Sequence, residues 1–161
     1  MKRQALSGIT LVLVMLVTGV FWGTWFTLTR SLSEFPPDNF IRIGKTIIGN
    51  VAWPMRILMP ATLLALILLC ISSLRQRPPL YFFLTATVLM FATLLITVGV
   101  EVPIDNQIKT WTVETIPDNW PELRSTWDQF HALRTLTSVL SFLSLTIGVV
   151  IDIPRSSVQT P

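Results

Sequence analysis

Apolar residues run along this chain in long blocks separated by short charged ones, and four of the blocks are free of ionisable residues over a membrane-spanning length. A helix needs about 20 mostly apolar residues to cross roughly 30 Å of hydrocarbon. The first block lies between Arg3 and Arg30, with its apolar body over about 7–27, and the second lies between Arg56 and Arg75, over about 55–74. The third runs between Arg77 and Glu101, over about 80–100, and the fourth between Arg134 and Asp152, over about 132–151. The pattern predicts an all-α fold: a four-transmembrane-helix bundle forming one integral membrane domain, 1–161. The first block has the basic start of a signal peptide in Lys2 and Arg3. It is long, however, carries Phe21, Trp22, Trp25 and Phe26, and lacks an A-x-A cleavage site, so it reads as a retained helix.

Both long connections carry helical periodicity. In the first, Pro36-Pro37-Asp38 reads as a turn into a helix N-terminus, after which Phe40, Ile43, Ile47 and Val51 recur at helical spacing. This predicts an amphipathic helix between spans 1 and 2. It serves either as an interfacial segment that lies on the headgroups or leads into the second span, or as a lid over a cavity. Pro54 and Pro60 predict a bend where the chain enters the membrane. In the second connection, Trp120-Pro121 predicts a helix start with Glu122 in the favoured first turn, giving a polar helical extension before span 4. If that helix runs on, Arg124, Trp127, His131 and Arg134 share a sector of about 80°, and Ser138 and Ser141 carry the stripe into the membrane. A stripe of this polarity faces the bundle interior or a hydrated pocket.

Other spans offer partners for it. Thr93, Thr97 and Glu101 form a polar line at i+4 that ends in a carboxylate at the membrane edge. In the first span Thr18, Trp22, Trp25 and Thr29 share a face, and Gly19 and Gly23 have the G-x-x-x-G spacing that permits close helix packing. An ion-pair network of Glu101, Asp105 and Asp128 with Arg124 and Arg134 follows from these positions, and it serves structure as readily as function.

Charge sets the orientation. Of 12 basic and nine acidic residues, Lys2, Arg3, Arg75, Arg77 and Arg155 fall on one face of a four-span chain, and eight of the nine acidic residues fall on the other. Under the positive-inside rule both termini are cytoplasmic, in what reads as a bacterial inner membrane. The single cysteine, Cys70, lies inside the second span and excludes an intrachain disulfide. No cluster of Lys and Arg on a soluble face suggests a nucleic-acid partner, and the expected surroundings are membrane lipid, with homo-oligomerisation open. One histidine and one cysteine far apart give no ordinary zinc set, and no phosphate-binding loop is present, so no metal site and no cofactor are expected.

The run Val100-Glu101-Val102-Pro103-Ile104-Asp105-Asn106-Gln107-Ile108-Lys109-Thr110-Trp111, followed by Trp120, Arg124, Trp127, His131 and Arg134-Thr135, resembles the signature of the anthrone-oxygenase-like family of small four-helix membrane proteins. Its most specific part is P-x-[ND]-x-x-I followed by W, and then W-x-x-x-H-x-x-R. Gly19 to Gly23 and Phe40 to Asn50 are similar to the family's N-terminal half, so the resemblance extends over nearly the whole chain. One departure is Asp105, where many relatives carry asparagine; here Asn106 follows at once.

The resemblance implies oxidation of an aromatic, anthrone-like or quinol-like amphipathic substrate by dioxygen, without metal or flavin. Such chemistry needs a base, a stabiliser for an enolate, and a dry pocket. On this reading His131 is the base, Arg134 or Arg124 stabilises the oxyanion, and Asp105 or Glu101 orients the imidazole. Trp111, Trp120 and Trp127 stack on the flat substrate, with Asn106 beside them. The rival reading is non-catalytic: a protein that binds a lipid or quinone, or a subunit of a larger membrane assembly.

Overall fold

The computed structural model describes residues 2–156. The side chains of Lys2, Arg30 and Arg155, used above as charged flanks, lie outside the described residues. Every regular element described is helical: α1 (Lys2–Thr27), a 3₁₀ turn (Thr29–Glu34), α2 (Pro37–Ser72), α3 (Arg77–Ile96), a π-helical turn (Thr97–Glu101), α4 (Val102–Ile108) and α5 (Trp120–Ser156). Four helical stretches, Arg3–Thr27, Pro37–Ser72, Arg77–Ile108 and Trp120–Ile153, are long and apolar enough to cross a membrane. The chain is an integral membrane protein with a four-helix bundle.

Helix starts follow local chemistry. Pro36 is extended (φ −65°, ψ 160°) and Pro37 opens α2, where a missing N–H costs nothing, with Asp38 in the first turn. Pro78 and Pro79 do the same for α3, and Pro121 with Glu122 for α5. Within α2, Pro54 and Pro60 do not end the helix, which runs unbroken for 36 residues, about 54 Å at roughly 1.5 Å per residue. The amphipathic segment is therefore not a separate interfacial element: it leads into the second span and extends it well past hydrocarbon thickness.

The third span also differs from expectation. Glu101 does not open a loop, because the helix continues through the π turn into α4 and ends at Ile108. Pro103 supplies the reason. It cannot donate to the Gly99 carbonyl and its ring would collide with that carbonyl, so the preceding turn widens and the Val102 N–H reaches back to Thr97 O.

α5 is the central helix, and small polar side chains tie it to its neighbours, as is usual where apolar surface alone cannot drive association. Ser141 Oγ donates to Ala86 O at 2.8 Å and Ser144 Oγ to Phe82 O at 2.8 Å, both across to α3. Thr93 and Thr137 share a hydrogen bond of 2.8 Å, and Thr18 on α1 donates to Ser138 O at 3.2 Å. At the far end Arg3 pairs with Asp152. Between these ties lies an apolar core that includes Val14, Val17, Leu66, Phe83, Met90 and Leu145. A second cluster of Phe40, Ile41, Ile48, Ile104, Ile108, Trp111 and Trp127 joins the extended part of α2 to α4 and α5. Trp22 stacks on Phe26 at 5.8 Å on the exposed surface and Trp53 is exposed as well, consistent with an aromatic belt at one membrane boundary.

Close packing does not use the glycine pair predicted for it. Gly19 and Gly23 have nothing within 4 Å of an added Cβ, whereas a Cβ on Gly148 would sit 2.6 Å from Phe83 Cε1. Gly148→Ala is expected to destabilise the bundle by ~1–3 kcal/mol through overpacking, while Gly19→Ala and Gly23→Ala leave it unchanged or slightly more stable. Unfolding in mixed micelles of increasing SDS content measures all three. Equal costs would mean that the α3–α5 contact is not the tight one.

Candidate functional site

The inward stripe of α5 forms from its second member onward: Trp127, His131, Arg134, Ser138 and Ser141 are all buried, whereas Arg124 is only partly so. Arg134 and His131 are three residues apart, one turn of helix, and the guanidinium Nε donates to His131 Nδ1 at 3.1 Å. An arginine at neutral pH has only donors, so Nδ1 must carry the lone pair and Nε2 the proton. The Nε2–H then donates to the Phe21 carbonyl on α1 at 3.3 Å, an oxygen to which Thr135 also donates at 3.4 Å. His131 is thus a neutral imidazole of defined tautomer, with both nitrogens engaged by the protein.

The π turn aims Glu101 into the same place. Its side chain is fully buried, with Oε2 2.7 Å from Arg134 Nη2. Neither carboxylate oxygen has an aligned hydrogen bond among the described residues, because the guanidinium N–H groups point at the imidazole. Charge rather than hydrogen-bond geometry holds Glu101. Glu101 Oε2 also lies 3.8 Å from His131 Nδ1, but that nitrogen is an acceptor, so no carboxylate orients the imidazole. Arg134 and the Phe21 carbonyl do so. The Arg134 guanidinium also lies over the Phe21 ring, 4.7 Å from its centroid.

One turn beyond Glu101, Asp105 accepts a hydrogen bond of 3.0 Å from Trp127 Nε1, and the Trp127 ring stacks on His131 at 5.2 Å. Asp105, Trp127, His131 and Arg134 line one side of a cavity of about 320 Å³. Its opposite wall is apolar and comes mainly from α2, with Ile47, Val51, Met55 and Met59, while Leu94, Val98 and Val102 border it from α3 and its π-turned end. That volume is at the lower end of the range for small-molecule pockets.

The match to a known family falls on this part of the chain. The family model described as anthrone oxygenase covers residues 46–144. The chain belongs to the anthrone oxygenase family. The matched region contains every cavity-lining residue named above and leaves out α1, so it is narrower than the near-complete resemblance read from the sequence. No curated protein and no solved structure matches the chain.

Of the residues singled out in this anthrone-oxygenase-family sequence, Asp105, Asn106, Trp127, His131 and Arg134 border the cavity, with Glu101 packed behind Arg134. Trp111 and Trp120 stand apart from it. Trp111 is buried in the cluster between α2 and α4, and Trp120 packs on Phe40 at 5.7 Å with the Arg124 guanidinium over its ring at 4.8 Å. Arg124 therefore braces the head of α5 and does not border the cavity. Asp128 has one buried oxygen without a hydrogen-bond partner among the described residues.

Arg56 and Lys109 border the cavity and were not singled out by the sequence reading. The available signal was the position of Arg56 inside a long apolar helix between Pro54 and Pro60, which read only as the edge of a span. Among the described residues, no group of three His, Cys, Asp or Glu side chains converges as a metal site.

Removing one member of a buried ion pair leaves the other charge uncompensated, at a cost of about 3–5 kcal/mol. Arg134→Met is expected to destabilise the protein by that amount in SDS-titrated unfolding. The double variant Glu101→Leu with Arg134→Met should be more stable than Arg134→Met alone. A double variant that is less stable would show that Glu101 is held by something other than Arg134.

Proposed function

We propose that this member of the anthrone oxygenase family is a cofactor-independent oxygenase that binds a flat aromatic ketone of the anthrone type, or a related phenolic amphiphile, in the cavity lined by α1, α2, α3, α4 and α5. The observation that carries this reading is that one wall of a largely apolar pocket is lined by both the Asp105 carboxylate and the Arg134 guanidinium. The first can take a proton and the second can stabilise the negative charge left behind.

The chemistry balances without a cofactor. A base removes one proton of the CH₂ group beside the aromatic rings, giving a delocalised enolate whose oxygen gains charge beside Arg134. The electron-rich carbon passes an electron to dioxygen and the two radicals combine, forming a C–O bond. After proton return the product is a hydroperoxide. Loss of the second C–H proton with cleavage of the O–O bond expels hydroxide, which leaves as water, and the carbon becomes a carbonyl. One ketone and one dioxygen give one quinone and one water.

Asp105 is the favoured base in this geometry. One of its oxygens is fixed by Trp127, and the other has no hydrogen-bond partner among the described residues. His131, the base expected from the sequence, has its lone pair occupied by Arg134 and its proton on the Phe21 carbonyl, so it has nothing free to accept a substrate proton. It acts as a positioning residue that holds the Arg134 guanidinium at the cavity wall. Trp127 supplies the aromatic face for a flat ligand. With both termini cytoplasmic, the cavity lies on the extracytoplasmic side of the membrane.

The rival reading, a lipid or quinone binder without turnover, uses the same cavity and is separated by oxygen uptake. Purified protein with anthrone is expected to consume dioxygen and form quinone, and Asp105→Asn, which removes the basic oxygen at nearly constant shape, should lower that rate by about 10²–10⁴-fold. His131→Gln, whose amide oxygen can still accept from Arg134, should lose less than about tenfold. The reverse ranking would return the base to His131. No uptake by the wild type would leave a binding protein.

A further inference from the structure

The cavity wall has a side on which the same residues face both inward and outward. Pro60 and Arg56 on α2 line the cavity and are exposed, and so are Val98 in the π turn that ends α3 and Val102 at the start of α4. Val98 is 59% exposed although it borders the cavity. These residues flank a gap between α2 and the end of α3. Its lining is apolar at Leu94, Met59 and Val98 and polar at Asn106 and Lys109.

Both helices that flank the gap have broken backbone ladders there. Pro60 has no N–H for the Arg56 carbonyl, Pro54 none for Asn50, and Pro103 none for Gly99. Irregular backbone at membrane depth is tolerated where it borders a cavity or water, because a carbonyl facing hydrocarbon would lack a partner. Arg56 adds a second observation. It is a guanidinium in the body of a long apolar helix, exposed at the rim of the gap, and the structure shows no ion pair for it among the described residues. Lys109, also in the lining, is exposed and donates to Asn106 Oδ1 at 3.0 Å. Arg134 already has Glu101 and the charge of Lys109 acts on Asp105, which leaves Arg56 as the lining cation without a carboxylate partner among the described residues.

We propose that the cavity is loaded sideways from the bilayer through the gap between α2 and the π-turned end of α3, and that its ligand is a membrane-dissolved amphiphile with a flat apolar body and an acidic headgroup bound by Arg56. This deepens the oxygenase reading by naming how and with what chemistry the ligand is held. The flat body slides between Met59 and Val98 toward Trp127. The acidic group, a carboxylate or ionised phenol, stays at the rim where Arg56 and Lys109 meet the headgroup layer. The same anionic chemistry occurs in acidic phospholipids.

Binding of two fluorescent probes, anthracene-9-carboxylate and uncharged 9-hydroxymethylanthracene, to the full-length protein in phosphatidylcholine nanodiscs tests this through energy transfer from protein tryptophan. Arg56→Gln should weaken the carboxylate by about tenfold or more and leave the alcohol within about twofold. Val98→Phe, which narrows the gap, should slow association of both probes by about tenfold. Both positions are exposed, so folding is not at stake, and far-ultraviolet circular dichroism checks it. Equal effects of Arg56→Gln on both probes would overturn the headgroup assignment, and unchanged association rates in Val98→Phe would overturn the side entrance.

Repeating the titration with phosphatidylglycerol in the nanodisc separates the sources of the acid. A wild-type to Arg56→Gln affinity ratio that persists supports a ligand headgroup, and one that collapses means Arg56 binds lipid phosphate and overturns the proposal. Because the readout is binding, Arg56-dependent capture without oxygen uptake would remove the oxygenase reading and leave this one standing.

Discussion

The buried pairing of Glu101 with Arg134 is the constraint around which the polar end of this bundle is arranged. A carboxylate with no exposed surface and a guanidinium at the membrane boundary are each too costly alone, so α3 and α5 must present them to each other. The π turn created by Pro103 gives α3 the rotation that aims Glu101 inward. Once Arg134 is held by that charge, its N–H groups fix the imidazole of His131, and His131 in turn reaches the α1 backbone at Phe21. Three helices are thereby locked by one connected set of polar contacts.

Height in the membrane follows from the same pair. Arg134 and Asp152 are 18 residues apart on α5, roughly 27 Å at about 1.5 Å per residue, close to the hydrocarbon thickness. The Glu101–Arg134 pair and the Arg3–Asp152 pair therefore mark the two edges of the slab. The cavity straddles the first edge, with its apolar wall on α2 and its polar wall on α4 and α5.

The extended ends of α2, α4 and α5 give the cavity its depth. Phe40, Ile48, Ile108 and Trp111 pack them together beyond the span, so the mouth is walled by rigid helices rather than by loops. Trp111 and Trp120, expected from the sequence to stack on a ligand, and Arg124, expected to stabilise an oxyanion, belong to this brace. Their sequence pattern is that of aromatic and basic residues near a membrane edge, which suits a binding surface and a packed helix junction equally well.

By itself the sequence determined the number of spans, the starts of α2 and α5 at Pro37 and Trp120, and the inward stripe of Trp127, His131, Arg134, Ser138 and Ser141. These follow from periodicity and from the cost of polar groups in lipid, both of which are local. The family was also legible, because the order and spacing of Pro103, Asp105, Ile108, Trp127, His131 and Arg134 lie along the chain. Only the tertiary structure decided which hydrogen bonds His131 makes, since they depend on a carbonyl of α1 and on the rotamer of Arg134. It also moved the tight glycine contact from Gly19 and Gly23 to Gly148, which meets Phe83 across two helices. Arg56 became a cavity residue for the same reason: whether a charge in a long helix faces lipid, water or a pocket is set by what packs beside it, and no spacing rule within one helix contains that information.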